Sequence, residues 1–167
     1  IVSRDWSSDV CSSDLDPFDI NKDWSRSDDD QRHRLVLNGT AHLYGFEVSG
    51  LAQYYSSLPF NITSGVTTLQ GTAGRPIVDG AFIARNAGEG SRFLSANARV
   101  SRTIRLGATR QVELLAEVFN LTNHVNPLAR NTTFGSGPYP TSPLPTFNQI
   151  TAVGDSRTWQ FAVRTRF

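Results

Sequence analysis

The sequence predicts an all-β fold, an antiparallel meander of about five long strands, and three observations lead to this prediction. Five segments alternate apolar and polar residues with a period of two over nine or more positions. Tight turns alternate along the chain with long connections that are rich in Gly, Pro, Thr and Asn. No stretch of the chain approaches the roughly 18 consecutive apolar residues that a membrane-spanning helix needs.

Residues 1–15 are expected to be disordered and to stand outside this fold. They are dense in Ser and Asp and show no structural period, and the string DWSSDVCSSDL (residues 5–15) resembles the translation of a common sequencing-library adapter. The alternative is a polar leader, which has the same consequence for the fold. Cys11 is the only cysteine, so the rest of the chain has no disulfide or thiol site. Methionine is absent, so we expect a processed or truncated chain.

The first two strands are predicted over residues 32–43 and 46–58. A two-residue turn at Tyr44 and Gly45 would place Leu43 opposite Phe46, and it would pair apolar with apolar and polar with polar residues along the whole hairpin. Gly45 suits the positive φ that such turns require.

The remaining strands are predicted over residues 93–105, 110–121 and 157–167. The turn at 106–109 would bring Arg99 opposite Glu113 or Glu117 on the polar face. We therefore expect these three side chains to form ion pairs in the lumen of a barrel. The long connections at 59–92 and 122–148 are longer than compact domains usually contain.

Short turns at one end and long loops at the other are typical of an outer-membrane β-barrel. Aromatic residues stand eight positions apart at both ends of the apolar face, Phe46 with Tyr54 and Trp159 with Phe167. Eight residues of a strand tilted by about 40° span about 20 Å, which is near the height of a lipid-facing band between aromatic girdles. The many charges of the opposite face suit a wet lumen better than a dry core. A soluble β-sandwich binding module remains the alternative.

Several segments carry a family resemblance, and FNLTN within LLAEVFNLTNHVNP (residues 114–127) is the most specific. Together with DDDQRHRLVLNG (28–39), SSLPFNITSG (56–65), NTTFGSGPYP (131–140) and QFAVRTRF (160–167), it resembles the barrel end of TonB-dependent outer-membrane receptors. The nearest resemblance is to the Oar-like subgroup, which carries a carboxypeptidase-regulatory-like domain at its N-terminus. The resemblance covers residues 16–167.

The resemblance implies that residues 16–167 are the C-terminal part of a transmembrane β-barrel in the bacterial outer membrane. The family fold is a barrel of about 22 strands filled by an N-terminal plug, and five predicted strands are only a part of it. The intact parent would bind a substrate at its external loops and import it with energy transduced by TonB. TonB would act only through the N-terminal parts that the chain lacks, and the sequence names no substrate. A non-transporting structural or adhesin-like barrel is a further alternative.

The C-terminal strand resembles the signal by which the barrel assembly machinery recognises nascent outer-membrane proteins. Trp159, Phe161, Val163 and the terminal Phe167 share one parity and would form this assembly signal. An apolar strand edge of this kind can be captured by strand addition.

The sequence predicts no enzyme. It contains no nucleophile elbow, phosphate-binding loop or paired-histidine motif, so we expect no catalytic residue, no cofactor and no metal. A net charge of +1 gives no argument for nucleic acid, and outer-membrane lipid is the expected partner.

Overall fold

A computed structural model describes residues 24–66, 73–107 and 109–167 of the chain. The adapter-like segment 1–15, with Cys11, lies outside the described residues. The prediction of an all-β, antiparallel fold is confirmed, since the described residues form strands and no helix. Consequently, no helix in this part of the chain is long and apolar enough to cross a membrane.

The chain divides into two compact units, which we describe separately. Residues 31–57, 91–128 and 152–167 form the sheet unit. The loop unit contains residues 58–90 and 129–151 together with the segment that precedes residue 31. The strands in chain order are β1 (Arg34–Leu43), β2 (Phe46–Tyr55), β3 (Pro59–Phe60), β4 (Ile77–Val78), β5 (Ala81–Phe82), β6 (Gly88–Glu89), β7 (Phe93–Arg105), β8 (Gln111–Phe119), β9 (Pro127–Arg130), β10 (Ile150–Val153) and β11 (Thr158–Arg166).

The sheet unit is an antiparallel meander of five strands in the order β1-β2-β7-β8-β11. The predicted hairpin register is confirmed, because Leu43 pairs with Phe46 and His42 pairs with Glu47. Tyr44 and Gly45 both take positive φ angles, 51° and 79°. These are the angles of the two-residue turn that matches the twist of the flanking strands.

The strands end close to the positions that the alternation predicted. β7 has the predicted bounds, whereas β1 begins two residues later than predicted and β2 ends three residues earlier. β8 ends at Phe119 because Asn120 turns the chain with a φ of 49°. β11 is one residue shorter than predicted at each end.

The sheet is open in the described part of the chain, with β1 and β11 as its edges. Every residue of both edge strands is exposed. The coarser prediction of a long-stranded antiparallel meander therefore holds, while barrel closure remains a prediction.

The loop unit is built from short hairpins and turns. β3 pairs with β6, and β4 pairs with β5 across a turn in which Asp79 and Gly80 have φ angles of 50° and 80°. A parallel bridge joins Thr63 of the first long connection to Thr133 of the second. The ribbon of β9 and β10 contains residues of both units. The two connections that the sequence left as long loops, 59–92 and 122–148, thus contain five short strands, and β10 follows the second connection.

The loop unit has a small core of its own. Phe134 is 2% exposed and contacts the rings of Tyr139 and Phe147, with centroids 5.0 and 5.2 Å away. Ile62 is also buried, and the Phe134 amide donates a hydrogen bond to the Thr63 carbonyl at 2.7 Å. Phe134 and Ile62 therefore pack inward, whereas Ile77 and Phe82 of the same unit are exposed.

Candidate functional site

The apolar face of the sheet unit is a continuous surface across all five strands. One row across it consists of Ala41, Val48, Val100, Ala116 and Phe161, and each residue pairs with the next on the neighbouring strand. On β11, Phe161 and Val163 are 75% and 66% exposed. An exposed apolar surface of this extent marks an interaction surface.

The four aromatic residues predicted to form girdles all belong to the apolar parity. Tyr54 pairs with Leu35 and Leu94 near one end of the face. Phe46 lies at the opposite end of β2, next to the tight turn. Trp159 is half exposed, and Phe167 follows the last residue of β11 and is almost fully exposed.

The aromatic residues of β2 and β11 are offset along the strands. Counting across the registers of β2, β7, β8 and β11, Trp159 is level with Gly50, four residues from Tyr54. By the same count Phe46 is level with Val163, four residues before Phe167. Both ends of the face therefore show the same four-residue offset across three strand spacings.

The sequence analysis followed the apolar face of β7 only from Leu94 to Val100, and the structure adds Arg102 and Ile104 to it. The Arg102 guanidinium lies 4.8 Å from the centroid of the Phe46 ring, in a cation–π contact. A long basic side chain that stacks on an aromatic residue at the rim keeps its charge away from the apolar surface.

The opposite face carries a charge network, which we call the ion-pair ladder: Arg99, Glu113, Glu117 and Arg164. Arg99 lies between the two glutamates, at 3.7 Å from Glu113 and 3.6 Å from Glu117. Arg164 donates a hydrogen bond to Glu113 at 3.1 Å. The structure thus brings together the three residues that the sequence proposed as ion pairs, and it adds Arg164.

In the ion-pair ladder, Arg164 approaches Glu113 more closely, at 3.1 Å, than Arg99 approaches either glutamate. Nε of Arg99 is enclosed and has no hydrogen-bond partner, because Oε1 of Glu117 at 3.6 Å lies beyond hydrogen-bond distance. The parity of β11 places Arg164 on the charged face, but its ion pair with Glu113 was not predicted, because that pair depends on the register between β11 and β8.

Around Leu114 the charged face is the more enclosed one, whereas Val118, further along the apolar face of β8, is buried. The carboxylate side chains of Glu113 and Glu117 are 19% and 25% exposed. Leu114, which lies between them on the opposite face, is 44% exposed. A protein that is surrounded by water on all sides places these groups the other way round.

A row of stacked side chains lies on the polar face at the end of the sheet where the long connections begin. The Arg34 guanidinium lies 4.7 Å from the Tyr55 ring centroid, and the Tyr55 ring stacks on Phe93 at 5.3 Å. Tyr55 is therefore flanked by β1 and β7, and we assign this row to cross-strand stabilisation.

The FNLTN segment forms a turn that fixes the strands around it. The buried Asn120 donates from its side chain to the carbonyls of His124 and Asp155, both at 3.0 Å, while its side-chain oxygen accepts from the His124 amide. The side chain of Asn126, also buried, accepts from the amide and donates to the carbonyl of Leu94 at 2.9 Å. Asn126 thereby replaces a backbone partner at the end of β7.

These contacts give FNLTN, the most specific motif of the sequence, a structural role in holding this turn. In the sequence this motif marks only a family resemblance, and these contacts were not predicted. The signal available was the positive-φ tendency of asparagine together with side-chain hydrogen bonding to a nearby backbone.

Among the residues that the structure describes, no three His, Cys, Asp or Glu side chains are grouped as a metal site would require. Comparisons of the chain with known protein families, curated proteins and solved structures give no match. The proposal about function therefore rests on the two faces of the sheet unit.

Proposed function

We propose that residues 16–167 are the C-terminal strands of an outer-membrane β-barrel, a TonB-dependent receptor of the Oar-like kind. The intact parent would bind a substrate on its external side and import it with energy transduced by TonB. In this proposal the apolar face contacts outer-membrane lipid, and the ion-pair ladder faces the lumen.

The observation that carries the proposal is the inverted exposure of the two faces. The leucine, valine and aromatic side chains of β1 and β11 are exposed on one face, while the carboxylates of β8 on the other face are largely enclosed and paired. Lipid is the solvent in which an exposed apolar face costs nothing, and a wet lumen is where paired charges are tolerated.

The aromatic offset gives independent support. Four residues correspond to about 13 Å along a strand, and three strand spacings to about 14 Å. If Phe46 lies level with Phe167 in the membrane, and Tyr54 with Trp159, the strands tilt by about 42°, within the range of about 35–45° known for membrane barrels.

The connections between strands also support the proposal. Both long connections leave the sheet at the end marked by Tyr55 and Phe119, whereas the tight turns lie at the opposite end. Outer-membrane barrels have this asymmetry of long external loops and short periplasmic turns. The loop unit, which folds around its own core, would supply part of the substrate-binding surface.

The two alternatives differ in what they require. A soluble β-sandwich module would cover the apolar face with a second sheet, and in the described residues Phe161 and Val163 are exposed. A non-transporting barrel shares every feature of the sheet unit and differs only in what precedes it.

Recovery of the complete reading frame from the source DNA tests the transport part of the proposal. We expect an upstream plug domain with a TonB-contacting segment and further strands of alternating pattern. A complete frame without a plug would contradict the transporter proposal, and a frame encoding only a short secreted module would contradict the barrel as well.

The assembly role of the C-terminal strand is tested in that full-length parent. Deletion of Phe167 is expected to lower the amount of protein in the outer membrane far more than Phe161→Leu, which keeps an apolar side chain at its position. Equal surface abundance of the deletion variant and the unaltered parent would count against an assembly signal at the terminus.

A further inference from the structure

A shallow groove of about 180 Å³ lies on the polar face at the end of the sheet where the tight turns are. It is lined by Thr103, Gln111, Glu113, Arg164 and Arg166. These residues come from β7, β8 and β11, which are joined here by regular pairing of Thr103 with Glu113 and of Glu113 with Arg164. The groove is therefore built on strands and not on loops.

The groove has more positive charge than its own carboxylate can balance. Oε2 of Glu113 accepts from Arg164, and Oε1 faces Arg99 at 3.7 Å, so both oxygens of this carboxylate already face a guanidinium. In the described part of the chain, Arg166 takes part in no ion pair. Arg105 pairs with Gln111, which pairs with Arg166, so a third guanidinium stands at the same end of the face.

We propose that this groove binds a phosphate group. Arg164 uses one donor on Glu113 and keeps others for a ligand, and Arg166 offers a second planar fork. The Thr103 hydroxyl and the Gln111 amide add neutral donors on the remaining sides. A phosphate dianion presents several acceptor oxygens in different directions, and it matches two guanidinium groups in charge.

The size of the groove limits what it holds. Sites for drug-sized ligands have volumes of about 300–1,000 Å³, so this groove accommodates a terminal group and not a whole cofactor. Free phosphate and a phosphate monoester present the same chemistry here. The proposal uses only contacts within the sheet unit and does not depend on the membrane proposal.

Calorimetric titration of the full chain in non-ionic detergent micelles tests the proposal, with inorganic phosphate, methyl phosphate and acetate as separate probes at constant ionic strength. We expect saturable binding of phosphate, weaker binding of acetate, and a loss of phosphate affinity of about tenfold in Arg166→Gln. Saturation by methyl phosphate as well assigns the site to phosphate esters, and saturation by phosphate alone assigns it to the free anion. Circular dichroism of each variant verifies that the sheet is retained.

Arg157→Gln is the matched control, because Arg157 is exposed and does not line the groove. It should leave phosphate affinity unchanged, and Arg166→Lys should recover only part of it, since an ammonium lacks the fork. The absence of saturable phosphate binding by the unaltered chain would overturn the proposal. Acetate binding as tight as phosphate, or equal losses in the Arg157 and Arg166 variants, would overturn it too.

Discussion

The core of the loop unit and the edge strands of the sheet unit place their large apolar side chains in opposite ways. In the loop unit, Phe134 and Ile62 are buried and ordered against neighbouring rings and backbone. In the sheet unit, the large apolar side chains of β1 and β11 are exposed, while the carboxylates of β8 are largely enclosed beside the buried Leu115 and Val118. Both units belong to the same chain.

Under the membrane proposal, this difference follows from different surroundings of the two units. A unit that faces water gains stability by burying apolar area. A sheet in lipid gains no stability from burying apolar area. It must instead form all its backbone hydrogen bonds between paired strands and keep its charges away from the acyl chains. Substitutions in each unit can therefore test this contrast separately.

The largest effect is expected in the core of the loop unit. Phe134→Ala removes a ring that is 2% exposed and that packs on two other aromatic rings. Such truncations cost about 3–5 kcal/mol. Hydrogen exchange at the amides of the loop unit should accelerate strongly, while the amides of β7 and β8 keep their protection.

Phe82→Ala is the matched control, because Phe82 belongs to the same unit and is 46% exposed. It should change loop-unit exchange much less than Phe134→Ala. Equal effects of the two truncations would mean that the loop unit has no specific core.

The next largest effect is expected where a charge meets lipid. Val163→Arg places a guanidinium midway between the two aromatic levels of β11 and should reduce stability in lipid vesicles by about 2–4 kcal/mol. Ala162→Arg, one residue away on the polar face, should cost much less, since a lumen hydrates the charge. Unfolding from vesicles in urea measures both, and equal costs would contradict the assigned faces.

A smaller loss is expected at the side chain that completes β7. Asn126→Ala removes both hydrogen bonds to the backbone of Leu94 and leaves these groups without their partner. The expected loss is about 1–3 kcal/mol. Asn38→Ala on the exposed edge strand is the control and should be near neutral in the same urea titration; a neutral Asn126→Ala would show that water replaces the side chain at no cost.

The smallest effect is expected in the ion-pair ladder. Glu117→Gln removes one carboxylate near Arg99, whose closest approach is 3.6 Å. Because wet ion pairs contribute only about 0–1 kcal/mol, the midpoint of urea unfolding should hardly change and should depend little on salt. A loss above that range would indicate a dry environment for the ladder, and it would favour the sandwich alternative.

The sheet could be predicted from the sequence because period-two alternation and turn chemistry are local. The hairpin at Tyr44 and Gly45 follows from parity and from one glycine, and the meeting of Arg99 with Glu113 and Glu117 follows from the same parity across the next turn. The pairing of Arg164 with Glu113 was not predicted, because no short turn joins β8 to β11 and a long connection lies between them.

The loop unit could not be predicted in the same way. The bridge between Thr63 and Thr133 joins residues 70 positions apart, and such a contact cannot be predicted from the periodicity of the sequence. The buried Asn120 and Asn126 stabilise the fold through side-chain bonds to backbone groups, which depend on three-dimensional position and not on pattern. The assigned faces, the lipid and the transport role remain predictions.

Tryptophan fluorescence in lipid vesicles tests directly whether lipid contacts the apolar face of the sheet unit. A variant of the chain with Trp6→Phe and Trp24→Phe keeps Trp159 as its single tryptophan, half exposed on that face. Its fluorescence is recorded in vesicles of lipids brominated along the acyl chains, and the comparison variant carries Trp159→Phe with Gln160→Trp, which moves the indole to the polar face. We expect blue-shifted emission and strong quenching for Trp159, and red-shifted emission with little quenching for the tryptophan at position 160. Equal quenching at the two positions, or none at Trp159, would contradict a lipid-facing sheet.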